Sequence, residues 1–73
     1  MGNKKSKEII FVVEESNEGG YEAKALGHRI YTEAEDIEHL KKNIKEAVEC
    51  HFEKDNLPNM IHLHYVKEET LSL

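Results

Sequence analysis

His62 and His64 stand two apart in Ile61-His-Leu-His-Tyr65, a spacing that fits two kinds of chemistry. Imidazole is the commonest side-chain metal ligand. A third histidine, His51, precedes the pair by eleven residues. With the pair turned toward His51, the three would converge on a site of the catalytic zinc kind. The same stretch is also an ordinary strand, with Ile61, Leu63 and Tyr65 on one face and His62 and His64 on the other. The metal arrangement puts Ile61 and Leu63 in water and forfeits their burial. The strand arrangement keeps them inside, turns the histidines outward and needs no metal or other cofactor. The residues admit both, and apolar burial favours the second. His39 and Cys50 fall on a similar side of one helix, but eleven residues separate them. That is about 16 Å along the axis, too far to share an ion.

Nucleophilic and acid–base chemistry find no complete set. Cys50 and His51 are neighbours, but neighbours on a helix point about 100° apart, and a thiol needs its base within hydrogen-bond reach. Glu14–Glu15 would face opposite sides of a strand. Glu35–Asp36 is placed to favour a helix dipole. Ser16-Asn-Glu-Gly-Gly20 has the glycines of a phosphate loop but no closing Lys-Ser/Thr and no helix behind it. It reads as a hairpin loop whose glycines supply positive φ. A non-enzymatic role follows.

The elements that must position these residues are legible. Glu8–Glu15 is β-branched and aromatic, with Ile9, Phe11 and Val13 on one face and Ile10 and Val12 on the other. An apolar pattern on both faces predicts a central strand. Tyr21–Leu26 alternates, Gly27-His28 reads as a turn, and Arg29–Thr32 as a short third strand. Asp36 is a predicted helix N-cap, though His39 occupies the place where a capping box has Glu. Ile37, Leu40, Ile44, Ala47, Val48 and Phe52 follow as one apolar stripe. His51 lies near its centre, which predicts a partly buried histidine at the helix end. Pro58 stops the helix, and Met60–Val66 is the fourth strand. The order is β-β-β-α-β, an α+β domain. It has a three-strand antiparallel meander, strand 4 returning beside strand 1 by a right-handed crossover, and one helix on one face. The other face, with Ile10 and Val12, is left uncovered, which predicts self-association or a partner.

With 73 residues there is room for one domain. It is expected over residues 8–67, between a basic tail at 1–7 and a carboxy-terminal tail at 68–73. A core this small commonly needs help from oligomerisation or metal. The lone cysteine and the lack of a secretory signal suit a reducing, cytoplasmic setting, and no apolar run is long enough to span a membrane. Met1-Gly-Asn-Lys-Lys-Ser6 matches the short N-myristoylation pattern, a weak signal. From Glu8 onward seven basic residues meet fifteen acidic ones, a charge of −8. Such a body repels phosphate backbones, which argues against direct nucleic-acid binding, and suits a basic protein partner.

Three stretches stand out together: Ile10-Phe-Val-Val-Glu-Glu15, Gly19-Gly-Tyr-Glu-Ala23 and Asn43-Ile-Lys-Glu-Ala-Val48. Their order and spacing, across residues 9 to 53, resemble the HicB-like antitoxin family. The Pro-Gly-Cys element common there between strands 2 and 3 is replaced by Ala25-Leu-Gly-His-Arg-Ile-Tyr-Thr32. The resemblance is therefore to the short stand-alone branch, without the carboxy-terminal DNA-binding segment that supports autorepression. It implies a partial ribonuclease-H-like fold, assembly into oligomers, and masking of a small basic HicA-type mRNA-cleaving toxin. It does not bring nuclease activity. The expected contact surface is the outer sheet face, with Ile10, Val12, Glu14, Glu22, His62 and His64. The alternative is an orphan small-ligand or metal-binding protein using His51, His62 and His64.

Overall fold

The computed structural model describes residues 7–73. The Met1–Ser6 pattern and all of the expected amino-terminal tail except Lys7 lie outside the described residues. Lys7 is tied to the domain: its carbonyl accepts from the Asn59 N–H at 2.8 Å, and its Nζ donates to Asn56 Oδ1 at 3.0 Å.

Strand β1 spans Glu8–Glu15, β2 Tyr21–Ala25, β3 Tyr31–Ala34 and β4 Met60–Tyr65, with helix α1 at Ile37–His51. The sheet order is β3-β2-β1-β4. β1 runs antiparallel to β2 and parallel to β4, and β2 runs antiparallel to β3. This is the α+β arrangement expected, with β1 central. Its alternation sends Ile9, Phe11 and Val13 into the core, almost wholly buried, and leaves Ile10 and Val12 half-buried on the far side.

Helix α1 begins where Asp36 Oδ1 accepts the His39 N–H at 2.8 Å, satisfying one of the free donors of the first turn. That bond, and the imidazole of His39 beside it, hold the Asp36 carboxyl below the usual carboxylate range. Leu40, Ile44 and Val48, four apart, form the buried stripe. Together with Ile9, Phe11, Val13, Ala23, Ala25 and Ile30 they make one core. The helix ends at His51, where the Phe52 N–H bonds Val48 O at 3.1 Å, and a single 3₁₀ turn, Lys54–Asn56, leads to Pro58 and β4.

Strand β3 lies two residues later than the sequence predicts. Ile30 is still in the connection, its carbonyl accepting from the Ala25 N–H at 3.0 Å while its side chain is buried. The ladder itself pairs Tyr31 with Lys24, Thr32 with Ala23, Glu33 with Glu22 and Ala34 with Tyr21. At the opposite end of β2, Gly19 and Gly20 have φ of +95° and +85°. A Cβ on Gly20 would lie 2.7 Å from Ala34 O, so glycine here answers both a backbone conformation and a close approach.

A helix about 10 Å wide cannot cover four strands spaced about 4.8 Å apart. α1 sits nearest β3 and β2. The helix side of β4 is consequently only partly covered: Ile61 and Leu63 pack against the margin of the core and stay half-buried, and Tyr65 is 55% exposed.

Candidate functional face

The register places every side chain of the outer sheet face. Partners in a ladder share a face, so the rows read directly across the strands. At one end Glu14 stands opposite Glu22, and Glu22 opposite Glu33. The next row holds Tyr31, Lys24, Val12 and His64, and the one after it Ile10 and His62. Leu26 adjoins Ile10, its N–H donating to Ile10 O at 2.9 Å. Glu8 and Met60 close the far end. All six residues expected on this face, Ile10, Val12, Glu14, Glu22, His62 and His64, are therefore neighbours on it. Leu26, Tyr31 and Met60, each 53% exposed, enlarge its apolar part.

The carboxylate row is not neutralised from within. Among the described residues the histidine–carboxylate contacts are His39–Asp36 and His62–Glu8, and no lysine or arginine of them forms a salt bridge with Glu14, Glu22 or Glu33. Tyr31 supplies the one internal donor. Its hydroxyl donates to Glu22 Oε1 at 3.1 Å and lies 3.3 Å from Glu33 Oε1. Desolvation against the sheet, the hydrogen bond to Glu22 and the charge of both carboxylates push the Tyr31 phenol up to about 12. Nearer β4, His62 Nε2 lies 3.0 Å from Glu8 Oε1.

Glu33 and Tyr31 join the site only through the observed register of β3. Ending the third strand at Thr32 left Glu33 in a loop and out of line with Glu22. Pairing with β2 is what marks the strand, with Thr32 and Ala34 half-buried and Tyr31 and Glu33 exposed, and the sequence alone carries no signal of it.

The three-histidine alternative is not formed. His62 and His64 occupy the face away from the helix, because Ile61 and Leu63 take the side facing the core. His51 is exposed, which corrects the expectation of partial burial. The last helical turn meets the β2–β3 turn instead of the strands. There His51 packs edge-on against His28 and Phe52, with ring centroids 5.7 and 4.9 Å away. Phe52, not His51, joins the margin of the core. Among the described residues no three His, Cys, Asp or Glu side chains come together as a metal site. Cys50 is free and exposed. No helix among them is long and apolar enough to cross a membrane.

An open groove lies on the helix side, where β1 and β4 end beyond the start of α1, between Tyr21, Ile37 and Tyr65. It is a consequence of the offset helix and contains none of the expected site residues except Glu14 at its rim.

Comparison with known proteins gives relatives but no described activity. A UPF0150 protein of Archaeoglobus fulgidus is 52% identical over 52 residues, 71% of this chain and 77% of that one. A UPF0150 protein of Thermotoga maritima is 39% identical over 67 residues, 92% of this chain and 94% of that one. No family model matches the chain, and no solved structure does. With such identity over nearly the full length of both sequences, the chain belongs to the UPF0150 family.

Proposed function

We propose that this chain is a non-catalytic, self-associating protein-binding module of the HicB-like kind. Its outer sheet face receives a small basic protein, with the HicA-type mRNA-cleaving toxins as the partner class, in the cytoplasm. One observation carries the reading: Glu14, Glu22 and Glu33 stand directly opposite one another across three strands, and among the described residues none of them is in a salt bridge. Like charges opposite one another in a sheet are destabilising, and Tyr31 offsets this only in part. A basic side chain from another molecule would relieve that repulsion on binding. Val12 in the next row, with Ile10, Leu26 and Met60 beyond it on the same face, supplies the apolar contact that a stable interface places at its centre. The charge of −8 carried from Glu8 onward would steer a basic partner toward this surface.

The test is titration calorimetry of the chain against the HicA-type proteins of its source organism. Glu14→Lys with Glu22→Lys is expected to weaken binding at least about tenfold, or about 1.4 kcal/mol, with the circular dichroism spectrum unchanged. Unchanged affinity would remove the acidic row from the interface.

A further inference from the structure

Strand β4 lies at the edge of the sheet, and its one ladder is the parallel one with β1. The Val66 N–H donates to Val13 O at 2.9 Å. Backbone groups alternate in direction along a strand, so His62 and His64 also point toward β1. Ile61, Leu63 and Tyr65 then direct their N–H and C=O to the free side. Natural edges are guarded by lysine, proline or inward charges. Met-Ile-His-Leu-His-Tyr has none of these. In a chain of net charge −5 it is, among the described residues, the one strand without Asp, Glu, Lys or Arg. Met60, Tyr65 and Val66 are each about half exposed beside it.

This edge is complementary to itself. Antiparallel pairing must match residues that point outward with residues that point outward. Centred on Leu63, it sets Leu63 against Leu63 of a second copy and Ile61 against Tyr65 on the helix side. On the outer side it sets Met60 against Val66 and His62 against His64. Every pair is apolar with apolar or imidazole with imidazole. Centring on His64 instead would oppose Ile61 to Lys67 and Met60 to Glu68. Centring on His62 would oppose Tyr65 to Asn59.

We propose that two copies of this chain pair antiparallel along β4, centred on Leu63. The product is a continuous eight-stranded sheet, from two four-stranded ones, with both helices on one side and about six new backbone hydrogen bonds. On the helix side of the seam Leu63 packs beside Leu63 of the copy and Ile61 beside Tyr65, which shields part of these partly exposed side chains from water. The two acidic rows stay free, because they lie on β1, β2 and β3 of each copy. The proposal gives a geometry to the self-association in the functional reading and does not depend on the basic partner.

Light scattering should return twice the chain mass of 8.5 kDa, and Met60→Lys with Tyr65→Lys should raise the dimer dissociation constant at least tenfold. The register is tested in a Cys50→Ser background. His62 and His64 face each other across the junction at a non-hydrogen-bonded position, with Cα atoms about 4.5 Å apart, which suits a disulfide. Under mild copper–phenanthroline oxidation the double variant His62→Cys/His64→Cys should form covalent dimers, and each single variant should not. All four histidine positions of the dimer are on the surface, so circular dichroism should stay unchanged. A chain monomeric at several hundred micromolar would overturn the proposal. So would a dimer indifferent to the lysines, or single variants that crosslink as readily as the double one.

Discussion

Val12 and Val13 are chemically identical neighbours that the fold treats oppositely, and truncating each to alanine measures the difference. Val13 is 1% exposed within the core, while Val12 is half-buried on the open face. Each substitution removes two methyl groups, about 1.6 kcal/mol at about 0.8 kcal/mol per buried carbon. At Val13 the surrounding Phe11, Leu40 and Ile44 cannot collapse fully into the space, and the cavity brings the cost to about 2–2.5 kcal/mol. At Val12 about half the transfer term applies and no cavity forms, so about 0.8 kcal/mol is lost. The lower strand preference of alanine enters both values and cancels in their difference. Urea unfolding at one fixed protein concentration should therefore separate the variants by about 1.5 kcal/mol, with equal slopes. Heating should separate them by roughly 6–12 °C, at about 4–8 °C per kcal/mol for a domain of this size. Equal losses, or a larger loss at Val12, would refute the assignment of faces on β1 and with it the outer surface.

Three further outcomes follow from particular residues. Gly20→Ala should cost about 1–3 kcal/mol, because alanine at φ +85° is strained and its Cβ meets Ala34 O; chemical denaturation reads this directly. The Tyr31 phenol should titrate near 12 by ultraviolet absorbance, and Glu22→Gln should bring it down. Because the folded value is raised, the associated stability is complete below the ordinary value of 10 and is lost as pH rises from there through about 12. The Asp36 carboxyl is lowered by folding, so its contribution is present above the ordinary value of 3.8 and is lost as pH falls through the depressed one. Acid unfolding of wild type should carry that component, and Asp36→Ala should lack it.

The topology was readable because its signals are local and agree with one another. Ile9 to Val13 is apolar on both faces, as a central strand requires, and Asp36 caps the helix that the four-residue repeat of Leu40, Ile44 and Val48 then buries. The parity of Ile61 to Tyr65 sufficed to put His62 and His64 outside. β3 was displaced because Thr32-Glu-Ala resembles a polar loop until Tyr21–Ala25 lies beside it. That displacement also hid Glu33, whose importance is purely one of register. His51 failed for a related reason. Helical periodicity gives an angle around the axis, but it does not say whether the sheet extends beneath the last turn. The offset of α1 toward β3 is likewise a property of three-dimensional packing that leaves no mark on any one residue.

The central claim is that the outer face binds a basic protein. It is met most directly by titrating the isotopically labelled chain with the purified HicA-type proteins of its source organism and following amide resonances. The account predicts saturable shifts confined to Glu14, Glu22, Glu33 and the strand positions between them and His64, abolished in Glu14→Lys/Glu22→Lys. Shifts centred on α1, or none with any of those proteins, would contradict it.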